Sequence, residues 1–346
     1  MLKSIALVAC FAWAPVSAMA QQAPAKAPEQ MGAPAQDAAQ DDGVRILDTV
    51  QVVAGHQPGP RMWKVRKGDH VLHVLAVVTP LPKDITWDSA QVEGVISRSQ
   101  AYITAPYLGI SADVGFFGGL HLLPAYMRLR KNPDGATLQQ VLSPDLYRRW
   151  SAAKARYLPG DEGVEKMRPI IAAEELYDAA LKRSGLGGKP KVSPVIDAAV
   201  KRHGLKRVST AIQVKLDDPK KALKEVQAGG FDDAKCLRET LDNIEYKLPD
   251  VIRQANAWAT GDVAALRTRP ARQGPGCLDA LVETDFARKH GIRDVPQRLR
   301  ANWTRAAEDA LASNPSTFAV LPLESVVGPD NYLDALRAKG YEVIAP

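Results

Sequence analysis

The segment His70-Val71-Leu72-His73-Val74-Leu75-Ala76-Val77-Val78 constrains the fold of this chain more than any other. Its apolar residues run almost without a break and are rich in β-branched valine, as in a strand buried on both faces. Such a strand needs neighbours in a sheet and packed layers above and below it. Just upstream, Pro58-Gly59-Pro60 turns the chain into Met62-Trp63-Lys64-Val65, and Lys67-Gly68-Asp69 turns it again into the long apolar run. Residues 46–53 (ILDTVQVV) alternate and end at Ala54-Gly55, so the N-terminal region reads as a meander of short strands.

Beyond Pro80 the period becomes helical. Helices are expected over residues 87–98, over 138–157 as a pair broken at Ser143-Pro144, and over 165–182 with a stop at Ser184-Gly185. Further helices are expected over 194–203, 219–228, 236–258, 296–311 and 332–339, the last closed by Gly340. Short strands are expected at Tyr102-Ile103 and over 207–214, 317–321 and 341–344. Strands at both ends thus enclose a large helical middle region. The expected class is α/β, with a central mixed sheet formed by the N- and C-terminal strands.

The first residues point to export. A basic start at Lys3, an apolar run over 5–16 and the small-residue exit Ala18-Met19-Ala20 read as a signal peptide of residues 1–20, cleaved after Ala20, with Cys10 discarded with it. Residues 21–42, rich in Ala, Gln and Pro, read as a disordered tether. About 304 residues remain, read as one domain over 43–346 in the periplasm, with no transmembrane segment in its body. Formal net charge is +6, with basic groups at Arg128-Leu129-Arg130-Lys131, at Lys201-Arg202 and from 267 to 272. In an exported protein these argue for solvated helix faces or an anionic envelope surface, and against nucleic acid. Cys236 and Cys277 would form a disulfide in an oxidising compartment, ahead of two buried thiols.

Standard catalytic spacings are missing from the sequence: there is no HExxH, GxSxG, EF-hand loop or GxGxxG. Gly185-Leu186-Gly187-Gly188-Lys189 is only superficially like a phosphate loop, because Arg183 stands at the first glycine position and Pro190 at the hydroxyl position. It reads as a helix-to-helix loop. The six histidines have no helical metal-ligand spacing. His73 reads as a packed strand residue, and His203 and His290 as helix-end residues.

The segments Met62-Trp63-Lys64-Val65, residues 72–82, Ala257-Trp258-Ala259-Thr260-Gly261-Asp262 and residues 318–343 together resemble the TraB/GumN family. The resemblance covers residues 44–346. It implies an erythromycin esterase-like α/β fold, related to the Tiki metalloproteases, and an exported or membrane-associated protein. Family members that look active carry a Gly-x-x-His after an early strand, an acidic residue after the next, and a second Gly-x-x-His after a late strand. Two imidazoles and a carboxylate at neighbouring strand ends could hold a divalent metal. Here Ala76-Val77-Val78-Thr79 stands at the first motif, Thr104-Ala105-Pro106 at the acidic position, and Pro322-Leu323-Glu324-Ser325 at the second motif, with Gly328 downstream. The vestigial positions are therefore Ala76, Thr79, Ala105, Pro322 and Ser325. Hydroxyls are poor substitutes for imidazole toward zinc-like ions, so no metal and no cofactor are expected.

Three readings follow. In the first, the protein is a non-catalytic family member whose old cleft is filled or used for binding. In the second, it is a hydrolase with a rebuilt site, in which Glu324, Thr79 and Asn302 supply a base or a hydrogen-bond donor. In the third, it is an envelope interaction protein that meets a polysaccharide or protein partner through its basic surface or tether.

Overall fold

The computed structural model describes residues 51–112, 116–228, 232–267, 285–292, 294–329 and 331–346. The expected signal peptide, the tether, the first part of the 46–53 strand and Cys277 lie outside the described residues.

The strands are β1 (Gly55–Gln57), β2 (Trp63–Lys67), β3 (His70–Val77), β4 (Ile85–Trp87), β5 (Ala101–Ile103), β6 (Leu108–Ala112), β7 (Lys206–Val208), β8 (Ile212–Leu216), β9 (Ser316–Pro322) and β10 (Glu342–Ile344). Helices of the first half are α1 (Ala90–Ile96), α2 (Phe116–Leu129), α3 (Leu138–Val141), α4 (Pro144–Tyr157), α5 (Pro169–Arg183) and α6 (Ser193–Arg202). In the second half come α7 (Pro219–Ala228), α8 (Asp233–Asp242), α9 (Leu248–Thr260), α10 (Val263–Arg267), α11 (Asp285–Lys289), α12 (Val295–Ser313), α13 (Glu324–Val327) and α14 (Tyr332–Ala338).

The fold is mixed α/β, as expected. Six strands form the main sheet in the order β10-β2-β3-β9-β5-β7. β3 is the hinge of this order: it pairs antiparallel with β2 through a tight turn at Gly68-Asp69, and parallel with β9 from Val71↔Ser316 to Val77↔Pro322. The N- and C-terminal parts of the chain therefore meet on adjacent central strands. Val74, Leu75 and Ala76 are successive and buried, as are residues 317–321, so both faces of the sheet centre are covered. Helix α12 packs on β2, β3, β5 and β9, while α1 packs on β9 and α6. Trp150, Trp258, Trp303 and Phe318 are the largest fully buried side chains of the core.

Several local expectations are corrected. Residues 51–54 are not strand: the Asn256 carboxamide accepts from Val53 N at 3.0 Å and donates to Gln51 O at 2.7 Å, so a side chain replaces a strand partner. β1 lies outside the main sheet and pairs in parallel with β4, so the meander shrinks to the β2–β3 hairpin. Trp87 ends β4 instead of starting a helix; Asp88 Oδ1 accepts from Ala90 N at 2.9 Å, and α1 begins there. The helix expected from 165 begins at Pro169, because proline holds Arg168 in an extended conformation (φ −60°, ψ 146°). The 207–214 strand is two strands in different sheets, parted where buried Thr210 donates its hydroxyl to Thr104 O at 3.1 Å. The long 236–258 helix is broken by a π-turn over Asn243–Lys247, just before Pro249, whose ring nitrogen has no proton to offer the preceding turn.

The helical middle is fastened by ion pairs. Arg149 Nη2 lies 2.7 Å from both Asp242 Oδ1 and Glu245 Oε2, which ties α4 to the π-turn. Arg168 makes a two-pronged contact with Asp233 at 2.7 and 2.8 Å, with both side chains largely buried. A second, smaller core of Ile212, Val214, Ala222, Ala287, Ile292 and Val295 supports the parallel β6–β8 pair.

Candidate functional site

Strands β3, β9 and β5 are consecutive in the sheet and parallel, so their carboxyl ends share one edge. That edge is where open α/β sheets place ligands. It also gathers the three vestigial segments, residues 76–79, 322–325 and 104–106. Leu323 N donates to Val77 O at 2.9 Å, which continues the β3–β9 pairing one step past Pro322. Thr79 and Ser325 thus follow directly on neighbouring strand ends.

At the β3 end Ala76 is buried, and its carbonyl accepts a 2.8 Å hydrogen bond from Nε1 of the fully buried Trp258. Trp258 also meets Trp87 edge to face, with ring centroids 5.6 Å apart. The Ala257–Asp262 segment is shaped for this approach. Gly261 ends α9 in the left-handed conformation (φ 71°), and a Cβ on it would lie 2.7 Å from Gly59 O. Gly59 N in turn donates to Ala259 O at 2.9 Å. The tryptophan that seals the edge therefore arrives on a helix end that is docked backbone to backbone.

After Thr79, which is exposed and precedes a cis peptide bond to Pro80, the chain runs beside the glycine-rich loop. Gly187 N donates to Leu81 O at 2.8 Å and Lys83 N to Gly185 O at 2.9 Å. The loop is thus a pairing partner of residues 81–83 instead of a bare helix-to-helix connection.

At the β9 end, Leu323 is buried and exposed Glu324 opens α13. Gly328 closes this one-turn helix by donating to Glu324 O at 3.0 Å; a Cβ on it would sit 2.4 Å from that same oxygen. Asn331 then bonds Gly328 O at 3.2 Å and caps α14 by accepting from Asp334 N at 2.7 Å. Ser325 is half-buried, and its hydroxyl interacts with the Tyr332 phenol. Burial pushes the Tyr332 pKa up; the Ser325 hydroxyl and the Arg300 charge oppose this, and the Glu324 charge adds to it. Tyr332 also packs edge to face on Trp303, at 5.8 Å between centroids.

At the β5 end, Ala105 is half-buried against the main core, and Thr104 N donates to Val208 O at 3.0 Å. The Thr104 hydroxyl is buried and has no hydrogen-bond partner among the described residues. Asn302, expected to join Glu324 and Thr79, sits half-buried on α12 next to Trp303, whose ring packs on Tyr332. Trp258 and Tyr332 were not singled out as site residues from sequence. The Trp258 link to the edge spans 182 residues of chain, and both residues lie in segments that carry the family resemblance.

The donor set does not fit a transition metal. Thr79 and Ser325 offer neutral hydroxyls, and Ala76, Ala105 and Pro322 offer no side-chain ligand. Among the described residues no three His, Cys, Asp or Glu side chains are grouped so as to hold an ion. Two histidines are engaged elsewhere: His70 Nδ1 lies 2.8 Å from Leu311 O, and His290 Nε2 lies 2.8 Å from Glu225 Oε2. His290 follows the end of α11 and faces the Glu225 carboxylate, and His203 terminates α6. Among the described residues no helix is long and apolar enough to cross a membrane.

A family profile described as the TraB/PrgY/gumN family matches residues 61–345. No curated protein and no solved structure gives a match. The matched span takes in the main sheet, the helical middle and all three vestigial segments, and on that basis the chain belongs to the TraB/PrgY/gumN family.

Proposed function

We propose that this chain is an exported, non-catalytic member of its family that serves as a binding or scaffold module in the cell envelope. The observation that carries the reading is the buried Trp258 indole on the Ala76 carbonyl. It packs against the end of β3 three residues before Thr79, the position from which the family's first metal ligand would be presented. The hydroxyl and alkyl side chains at Thr79, Ala105, Pro322 and Ser325 support the same conclusion. The partner class that fits is an envelope polysaccharide or protein.

The test is to express the full chain, sequence the N-terminus of the secreted product, and measure bound metal together with hydrolysis of a broad peptide and ester panel. The expected result is an N-terminus at Gln21, no stoichiometric metal, no turnover, and an unfolding midpoint unmoved by a chelator. Stoichiometric metal, or turnover abolished by Glu324→Ala, would overturn the non-catalytic reading.

That second outcome belongs to an alternative with its own support. The Ser325–Tyr332 pair lies beside Glu324 and within the field of Arg300, a set of polar groups that a hydrolase rebuilt around Thr79 and Glu324 could use.

Export also motivates a bridge between Cys236 and Cys277. Cys236 is buried on α8, and closing a loop of about 42 residues contributes roughly 4 kcal/mol when unstrained.

A further inference from the structure

Among the described residues seven large apolar side chains are exposed, and five of them, Tyr107, Ile110, Leu123, Tyr126 and Met127, fall between positions 107 and 127. Soluble surfaces rarely concentrate exposed apolar groups in this way without a partner for them. Three of the five are on α2. Leu123, Tyr126 and Met127 follow an i, i+3, i+4 spacing and so share one face, and they are 49%, 42% and 45% exposed. Residues 123–128 are all exposed, more than one helical turn, so this part of α2 is not a core helix.

The charge on the stripe's own segment of chain has one sign. No Asp or Glu occurs from Gly115 to Lys131, whereas Arg128, Arg130 and Lys131 follow the apolar turn directly. Arg128 is five residues after Leu123, about 140° round the helix, so the cation lies on the polar side away from the apolar stripe, and Lys131 follows just past the helix end. α2 packs against α7, which adds exposed Lys220, Lys221 and Lys224. The acids nearby include Glu175, which pairs with Arg130 at 2.9 Å, Asp217 and Asp218 ahead of α7, and Glu225 on α7, which pairs with Lys289 and His290.

We propose that α2 docks on an anionic lipid surface, with Leu123, Tyr126 and Met127 at the acyl boundary and Arg128, Lys131 and the α7 lysines over the headgroups. An apolar stripe with a basic polar side and an aromatic hydroxyl at its edge is the composition of an interfacial helix. A second copy of the chain is the poorer occupant, because a two-fold contact would set the same cations against one another. The inference is independent of whether the strand edge catalyses anything.

The test is co-sedimentation of protein purified from full-chain expression with vesicles of phosphatidylcholine alone or of phosphatidylcholine mixed equally with phosphatidylglycerol. The wild type is expected to pellet with the anionic vesicles and to be released by salt. Each cation reversed by Arg128→Glu or Lys131→Glu should weaken binding by at least about five-fold. Leu123→Glu with Met127→Glu should abolish it, with circular dichroism unchanged because both side chains face solvent. Wild-type protein that stays in the supernatant, or a double variant that binds as well as wild type, would overturn the proposal. So would a wild-type dimer that the double variant dissociates without vesicles, since that assigns the face to a second copy.

Discussion

The Trp258 indole and the Ala76 carbonyl are joined by a 2.8 Å hydrogen bond across 182 residues of chain. The bond pins the end of α9 to the end of β3 where both are shielded from water. Replacing Trp258 by Phe keeps an aromatic ring but strands the carbonyl, at an expected cost of about 1–3 kcal/mol. Trp258→Ala adds a cavity, and the cost should rise to about 3–5 kcal/mol. Urea unfolding of the two variants checks the order; a Phe variant as stable as wild type would show that the bond contributes nothing.

Gly261 and Gly204 both have positive φ, 71° and 63°, but their surroundings differ. A Cβ on Gly204 meets nothing within 4 Å, whereas on Gly261 it would lie 2.7 Å from Gly59 O. Gly204→Ala should cost only the left-handed penalty, about 1 kcal/mol. Gly261→Ala should cost clearly more, because the backbone pairing of Gly59 with Ala259 must shift as well. Equal losses in thermal unfolding would mean that the close approach relaxes freely.

His73 gives the fold a defined pH response. Burial lowers its pKa, and the nearby charges of Lys64, Arg98 and Arg66 lower it further. The unfolded state therefore takes up a proton at higher pH than the folded state does. The stability contribution is complete above the unfolded value of about 6.5 and is lost as pH falls from there through the lowered folded value. Unfolding free energies measured from about pH 7.5 down to about pH 5 should fall less steeply for His73→Gln than for wild type. Parallel curves would remove His73 as the cause.

For the proposed Cys236–Cys277 bridge, a thiol assay on denatured secreted protein should find no titratable sulfhydryl. Cys277→Ser should then lower stability by roughly 4 kcal/mol in the chain-entropy model. Two titratable thiols in the wild type would refute the bridge.

The parts of the fold legible in sequence are those with strong local patterns. The continuous apolar run at 70–78 contains β3 (His70–Val77), and the residue types at the three expected motif positions are read directly from the sequence. Where local pattern failed, a distant group had intervened. Asn256 turned residues 51–53 away from strand pairing, and Thr210 and Thr104 divided 207–214 between two sheets.

By itself the sequence determined the class of fold, the family and the absence of imidazoles and acids at the vestigial positions. Those properties reside in residue type and short-range period, which act through propensity and burial within a few residues. Only the tertiary structure decided that β3, β9 and β5 stand side by side, that Trp258 takes the place beside Ala76, and that Ser325 meets Tyr332. These relationships depend on register and packing between segments far apart in the chain, and no local pattern encodes which partner will arrive.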